Sequence, residues 1–232
     1  WLRDVSLRFG VQVRCHAIIT KSSRKYLRCR VSKHIVIVLN SNAVSKTRTP
    51  QEIQEALSFG VRILGENRVQ EANEKVTLIQ APVSWHLVGH LQRNKAKTAV
   101  SLFGMIHSVD SVRLAKEIGT QASQVGHRAN VLVQVNTSGE VSKFGVTPDR
   151  VMDLVEQISE IQGLDVCGLM TMGAFTSDPE DVRPSFASLR KARDRIAQAG
   201  YEVFMLDFRV HGQSEAPHDP AAYPEGVLLK DV

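Results

Sequence analysis

The chain has 232 residues, 43% of them hydrophobic, which is enough for one sizeable core, so a single domain is expected. Its net charge of +5 is uneven, because residues 1–33 carry +8, from nine Lys or Arg against Asp4, and the remainder carries −3. A slightly acidic body argues against nucleic-acid binding, and the lack of any apolar stretch near 20 residues argues against a membrane span.

Residues 1–33 form a basic segment that differs from the rest of the chain. This segment contains Arg and Ser, is poor in acidic residues and lacks an initiating Met. Two interpretations stay open: a transit peptide, or a fragment or gene-model artefact. The cysteines have no Cys-x-x-Cys spacing and favour a reducing compartment, so a cytoplasmic or mitochondrial protein is expected; they are Cys15, Cys29 and Cys167.

From residue 34 onward, short apolar runs alternate with segments of helical periodicity, the pattern of βα units around a parallel sheet. The apolar run 35–39 is predicted to be the strand that leads to Lys46. Thr49 is the predicted N-cap of the first helix, Pro50 its first residue and Gly60 its end, with Ile53, Ala56 and Leu57 on one face. Further strands are predicted within 62–67, 85–90, 104–111, 130–138 and 164–172.

Each of these strands is followed by a predicted helix. The helix after residue 148 has apolar residues at the spacing i, i+3, i+4 and i+7, namely Val151, Leu154, Val155 and Ile158. The last helix has Phe186, Leu189 and Ile196 on one face, with Gly200 beyond its end. Residues 201–232 contain several prolines and no clear βα unit, so they are expected to be largely loop.

Six consecutive βα units fit either an open doubly wound sheet or most of an eightfold barrel. A complete barrel typically needs about 250 residues. The sequence therefore predicts an α/β fold of the (β/α)8 TIM type over residues 34–232, truncated after about six βα units.

In either architecture, ligands bind at the carboxyl ends of the parallel strands, where this chain is polar. Helix N-capping explains Ser, Thr and Asp at such positions, and we interpret Ser108, Asp110 and Thr137 in this way. Lys46 is different, because Lys is a poor cap and is rarely buried without a partner. Its amine, with a pKa lowered by desolvation, could form a Schiff base with an aldehyde; the alternative is a surface lysine with a partly buried stem.

The remaining motifs restrict the function further. His86, beside Trp85, is equally explained as a hydrogen-bonded core histidine or as a site residue, and His90 is expected in a loop. The sequence contains no metal-ligand spacing, no Gly-x-Ser-x-Gly elbow, no Gly-x-Gly-x-x-Gly and no Walker pattern. Hydrolase, kinase and dinucleotide-binding functions are therefore disfavoured, and no metal is expected.

Six motifs, in order, resemble one known family: "AVSKT", "LGENRVQEANEKV", "WHLVGHLQRNKAK", "IHSVDS", "VLVQVNTSGEVSKFGV" and "GLMTMGAF". Over residues 43–200 the chain resembles the pyridoxal phosphate homeostasis protein family, which is itself similar to the N-terminal barrel of alanine racemase. The resemblance implies that Lys46 holds pyridoxal 5′-phosphate as a Schiff base. It also implies that Asn67, His86 and Met170 lie in the cofactor pocket and that Lys143 lies near the site, with a role in cofactor exchange.

The resemblance further implies a monomeric, non-catalytic carrier that keeps intracellular pyridoxal phosphate and vitamin B6 pools in balance. Its partners would be the cofactor and apo forms of enzymes that use it, with no nucleic acid and no membrane. Two alternatives stay open: an enzyme that uses Lys46 through a Schiff base, either a racemase or a lyase such as an aldolase, and an inactive, non-binding fragment.

The chain departs from the family pattern at both ends. Residues 1–40 do not resemble the usual Ala- and Arg-rich first helix, and two further strands would be expected beyond residue 232. In barrels, the loops after strands seven and eight commonly form the phosphate site. The expectation from the sequence is therefore that residues 1–232 alone bind the cofactor weakly or fold poorly.

Overall fold

A computed structural model describes residues 12–13, 18–19, 34–38, 43–58, 61–141, 143–172 and 179–205. The strands are β1 (Gln12–Val13), β2 (Ile18–Ile19), β3 (His34–Val38), β4 (Ala43–Val44), β5 (Ile63–Glu66), β6 (Ser84–Leu87), β7 (Met105–Val109), β8 (Ala129–Gln134), β9 (Leu164–Met170) and β10 (Glu202–Met205). The helices are α1 (Pro50–Ser58), α2 (Val69–Leu78), α3 (Ala96–Leu102, after a 3₁₀ turn at Arg93–Lys95), α4 (Val112–Gln124), α5 (Val151–Ser159) and α6 (Pro179–Gln198). Within these ranges, no helix combines the length and apolarity that crossing a bilayer requires.

The described strands form one ten-stranded sheet in the order β1-β4-β5-β6-β7-β8-β9-β2-β3-β10. The five successive pairings from β4 to β9 are all parallel, and β10 is parallel to β3. The two short N-terminal strands run antiparallel, β1 on β4 and β2 between β9 and β3. Strand and helix alternate from β4 to β10, which confirms the predicted α/β class and partial barrel.

The strand that leads to Lys46 differs from the prediction. The apolar run 35–39 falls mainly in β3, which pairs with β2 and β10 and not with β5. The separate two-residue strand β4 precedes Lys46 and pairs with β5 through Ala43↔Leu64 and Val44↔Gly65. Hydrophobicity identified a strand correctly, but it carries no information about which neighbour that strand joins.

The expectation that residues 201–232 are largely loop was wrong at its start. Glu202–Met205 forms β10, which follows α6 and pairs along its length with β3. Four residues are too short for a clear periodic signal, and the parallel partner lies far away in the sequence. Residues 206–232 lie outside the described ranges.

Within the described residues, the helices cover one face of the sheet and bury the larger of two hydrophobic clusters there. The predicted face of α5 is confirmed, since Val151, Leu154, Val155 and Ile158 are all buried. In α6, Leu189 and Ile196 are buried as expected and Phe186 is half-buried. In α1 the buried residues are the predicted Ile53, Ala56 and Leu57, and the helix ends at Ser58; Gly60 lies outside the described residues.

A capping box starts α1, as the sequence predicts. The Thr49 hydroxyl accepts the Glu52 backbone N–H at 3.3 Å, and the Glu52 carboxylate accepts the Thr49 backbone N–H at 2.7 Å. These two bonds satisfy N–H groups that the first helical turn otherwise leaves unpaired. The bonds from the Thr49 backbone and hydroxyl, with one from Arg48, hold the pKa of Glu52 below its ordinary value.

Thr49→Ala is expected to lower the free energy of unfolding by about 1 kcal/mol, because it removes the capping oxygen. Urea denaturation measures this change, and Thr49→Ser, which keeps the hydroxyl, is the matched control. Equal denaturation midpoints for the alanine and serine variants would show that the cap contributes nothing to stability.

Candidate functional site

Lys46 occupies a tight turn immediately after β4. The Arg48 backbone N–H donates to the Ser45 carbonyl at 3.0 Å, which closes a four-residue turn with Lys46 and Thr47 at its centre. Thr47 has φ of +62°, the left-handed region that a type II turn requires at its third position and that β-branched residues rarely adopt. Lys46 is half-buried, and among the described residues no hydrogen bond or ion pair joins its amine to another group.

A buried polar cluster holds this turn from the helix side of the sheet. The Lys75 ammonium, on α2, donates to the Ser45 carbonyl at 2.6 Å, to Glu66 at 2.8 Å and to Glu71 at 2.7 Å. Glu66 also accepts the Ser45 hydroxyl at 2.6 Å, and Glu71 accepts the Thr47 backbone N–H at 2.6 Å. We call these three charged residues, Glu66, Glu71 and Lys75, the α2 clamp.

The two carboxylates of the α2 clamp differ in their electrostatics. Burial raises the pKa of Glu66 above its ordinary value, although hydrogen bonds from Lys75 and Ser45 oppose this. One Glu66 oxygen, Oε2, is buried without a hydrogen-bond partner among the described residues. Partial burial acts in the same upward direction on Glu71, but bonds from Lys75 and the Thr47 backbone outweigh it and hold the pKa of Glu71 below its ordinary value.

The opposite face of the sheet carries a second group of buried side chains. Along β6 and β8, the neighbours Trp85, Leu87, Val131 and Val133 belong to the helix-facing core, so the residues between them point the other way. We call this opposite side the inner face. It carries His86 from β6, His107 from β7, Leu132 from β8 and Met170 from β9. In barrels, ligands bind where such a face reaches the carboxyl ends of the strands.

His86 and His107 are paired on the inner face. His86 Nδ1 lies 3.0 Å from His107 Nε2, and both rings are buried. Burial lowers the pKa of His86 to about 4, so its ring is neutral at pH 7. His86 was predicted as a site residue or a core histidine; it is a buried histidine with a partner, located two strands from the Lys46 turn.

Asn67 directly follows β5, and its backbone packs against Gly89 in the loop after β6. A Cβ placed on Gly89 would lie 2.2 Å from the Asn67 carbonyl oxygen, so only glycine permits this approach. The contact places Asn67 at the carboxyl end of β5, beside the loop after β6. Asn67 is half-buried.

Met170 ends β9 and is fully buried in a small inner-face cluster. Leu132 and Cys167 share the cluster, and Met105 and Met172 pack against it. Met105 is the register partner of His86, which connects this cluster to the histidine pair. Met170 thus lies on the same sheet face as His86, and its place in a cofactor pocket stays a prediction.

Lys143 lies in the loop that follows β8, of which residues 136–141 and 143–146 are described. Asn136 organises the loop, because its side-chain amide donates to the carbonyls of Glu140 and Lys143. The Lys143 ammonium pairs with Glu140 at 2.7 Å. Next to it, the ring of Phe144 stacks on His90 with centroids 3.9 Å apart, so the loop after β6, where His90 was expected, contacts the Lys143 loop.

Comparison with known proteins identifies the family. A family profile described as the N-terminal domain of alanine racemase matches residues 29–208. The pyridoxal phosphate homeostasis protein of Aquifex aeolicus (strain VF5) is 40% identical over 160 residues, covering 68% of this chain and 70% of that protein. The chain belongs to the pyridoxal phosphate homeostasis protein family.

Two further relatives extend the match. The pyridoxal phosphate homeostasis protein of Helicobacter pylori (strain ATCC 700392 / 26695) is 37% identical over 186 residues, covering 79% of this chain and 82% of that protein. Among solved structures, PipY of Synechococcus elongatus PCC7942 with PLP bound is 30% identical and has a TM-score of 0.64, covering 75% of this chain and 80% of PipY. The family membership predicted from the motifs is therefore confirmed.

The residues present fit an aldehyde cofactor such as that of this family. The Lys46 amine, unpaired within the described ranges, is the group that a Schiff base needs, and the turn that carries it is tightly held. The same ranges contain no cluster of three or more His, Cys, Asp or Glu side chains that could hold a metal ion.

The sequence interpretation missed the α2 clamp and the partner of His86. Lys75 was not predicted as a site residue, although it shares the buried stripe of α2 with Val69 and Ala72, an unusual place for a charge. Ser108 and Asp110, predicted as caps, do not cap the helix after β7. The N-cap position there is Ser111, and its side chain makes no capping bond. Thr137 instead shares a 2.8 Å hydrogen bond with Thr171.

Proposed function

We propose that this chain binds pyridoxal 5′-phosphate through a Schiff base on Lys46 and acts in the intracellular homeostasis of this cofactor. The observation that carries the proposal is the geometry of Lys46, a half-buried lysine at the carboxyl end of the sheet in a turn fixed on both sides. The relatives that are named pyridoxal phosphate homeostasis proteins, and PipY with its bound PLP, support the same assignment.

Binding of this type joins the Lys46 nitrogen to the aldehyde carbon, with loss of one water molecule. The amine would have to be unprotonated to attack, and its two hydrogens would leave with the aldehyde oxygen as that water molecule. Asn67, His86 and Met170 would contact the cofactor from the strand ends and the inner face. His86, neutral at pH 7 because of its burial, could donate or accept one hydrogen bond there without introducing a charge.

The proposed role is that of a monomeric carrier, located in the cytoplasm or the mitochondrion, that delivers the cofactor to apo forms of enzymes that use it. A carrier must bind the cofactor through a reversible covalent bond. It needs no residue that catalyses a reaction of an amino acid. Turnover of amino acids as a racemase or lyase by the loaded chain would contradict the carrier role and favour the enzyme alternative.

Lys46→Ala is expected to abolish Schiff-base formation when pyridoxal 5′-phosphate is added to the purified chain. Visible absorbance follows the imine, and borohydride reduction with peptide mass spectrometry identifies the modified lysine. Lys116→Ala, an exposed lysine on α4, is the matched control and should behave as the wild type. Equal imine absorbance in the wild type and in Lys46→Ala would overturn the proposal.

A further inference from the structure

We propose that the α2 clamp, formed by Glu66, Glu71 and Lys75, is a positioning device that fixes the backbone of Lys46 for Schiff-base formation. This inference rests on the proposed function of Lys46 and goes beyond it, because it assigns a role to three residues that do not contact the amine. The role differs from ordinary core stabilisation, and the two can be separated by experiment.

The clamp contacts the peptide groups on both sides of the Lys46 α-carbon. On one side, the carbonyl of Ser45 accepts the Lys75 ammonium at 2.6 Å. On the other side, the backbone N–H of Thr47 donates to the Glu71 carboxylate at 2.6 Å. Two fixed peptide planes determine the φ and ψ of the residue between them, so the direction in which the Lys46 side chain leaves the backbone is also determined.

Glu66 completes the clamp from the neighbouring strand. Its side chain is fully buried and takes a hydrogen bond from the Ser45 hydroxyl at 2.6 Å and one from Lys75 at 2.8 Å. The Ser45 backbone N–H also donates to the Gly65 carbonyl at 2.9 Å. The residue before Lys46 is therefore held through its N–H, its carbonyl and its side chain.

The conformation held in this way is one that the chain would not adopt alone. A positive φ at Thr47 is strained, because a β-branched side chain rarely adopts the left-handed region. The charge-assisted bond from the Thr47 N–H to Glu71 offsets this strain, because such bonds are stronger than neutral ones. All the clamp bonds end on backbone groups, on the Ser45 hydroxyl or on each other, and within the described residues none engages the Lys46 amine, which is left available to react.

The test uses Glu71→Ala, with Glu74→Ala as the matched control on the exposed side of the same helix. Glu71→Ala should lower the equilibrium constant for imine formation with pyridoxal 5′-phosphate by roughly tenfold, the size expected for one charge-assisted bond. In the ligand-free chain, hydrogen exchange of the Thr47 amide should be faster by about the same factor. Glu74→Ala should change neither quantity by more than about twofold.

Thr47→Gly separates positioning from stability, because glycine adopts a positive φ without strain. Added to Glu71→Ala, it should restore the melting temperature but leave imine formation roughly tenfold weaker than in Thr47→Gly alone. If Glu71→Ala alone does not fold, the comparison of the double variant with Thr47→Gly replaces it as the test. Recovery of both stability and imine formation would overturn the positioning role, as would an unchanged imine constant in folded Glu71→Ala.

The two proposals fail in different ways. A wild-type chain that forms no Lys46-dependent imine would overturn the proposed function. A wild-type chain that forms it, together with a Glu71→Ala chain that forms it equally well, would overturn the positioning role alone.

Discussion

Replacing Lys75 with methionine is expected to lower the free energy of unfolding by about 3–5 kcal/mol at pH 7, because it leaves a buried charge without its partner. Glu66 is 0% exposed and Lys75 is 7% exposed, and the ammonium makes three hydrogen bonds of 2.6 to 2.8 Å. Methionine fills a similar volume but donates to none of these acceptors. For a chain of this size, the corresponding drop in melting temperature is on the order of 10 °C.

The pH dependence of this loss identifies its cause. Without the ammonium, burial and the nearby Glu71 charge are opposed only by the Ser45 hydrogen bond, so the pKa of Glu66 rises further. Acid conditions then protonate the carboxyl and remove the uncompensated charge. Urea denaturation should therefore show a smaller difference from the wild type at pH 5 than at pH 7. Adding Glu66→Gln to Lys75→Met should recover part of the stability, and a fully additive pair would contradict the coupling.

Acidification from pH 7 to pH 4 is expected to lower the free energy of unfolding by about 3 kcal/mol through His86 alone. The pKa of His86 falls from 6.5 to about 4 on folding because the ring is buried, with His107 at 3.0 Å. The unfolded chain then binds the proton more tightly than the folded chain. The stability contribution is thus complete above pH 6.5 and is lost as the pH falls toward 4.

Chemical denaturation at several pH values measures this effect. His86→Gln, which keeps a polar group beside His107, should flatten the stability profile between pH 6.5 and 4. His127→Gln, at an exposed position, is the matched control and should retain the wild-type slope. Carboxylates also change the free energy of unfolding in acid, so the deciding quantity is the difference in slope between His86→Gln and the control. Equal slopes would contradict the prediction.

Local sequence signals were sufficient for most of the architecture. The capping box at Thr49 and Glu52 and the buried face of α5 both follow from spacing over a few residues, and the structure has them as predicted. The partial barrel likewise follows from the repeated alternation of apolar runs and helical periods. These features depend on residues that are close together in the chain, where periodicity and side-chain chemistry act directly.

Pairing between distant segments could not be predicted in the same way. That β3 and β4 are separate strands depends on their partners, because β3 pairs with β10 and β4 pairs with β5. These two partners lie far apart in the order of the sheet. An apolar run of five residues satisfies either neighbour equally well. The strand at Glu202–Met205 was missed for the same reason, because what identifies it is its pairing with the distant β3 and not its own four residues.

The site was predicted in part. Lys46 was selected because a lysine is a poor cap at a strand end, and the family resemblance added Asn67, His86 and Met170, whose roles stay predictions. Glu71 and Lys75 were missed because an acid and a lysine four residues apart on a helix usually form a surface pair. Burial reverses that interpretation, and burial depends on how α2 packs against β4 and β5.

The position of the α2 clamp along the chain has a consequence for the order of folding. The Lys46 turn and all three clamp residues lie within residues 45–75, so their contacts close only short loops. The pairing of β10 with β3, by contrast, joins Glu202 to His34 and must close a loop that contains most of the chain. Because rapid folding favours contacts between sequence neighbours, the geometry around Lys46 can form during synthesis, well before β10 leaves the ribosome.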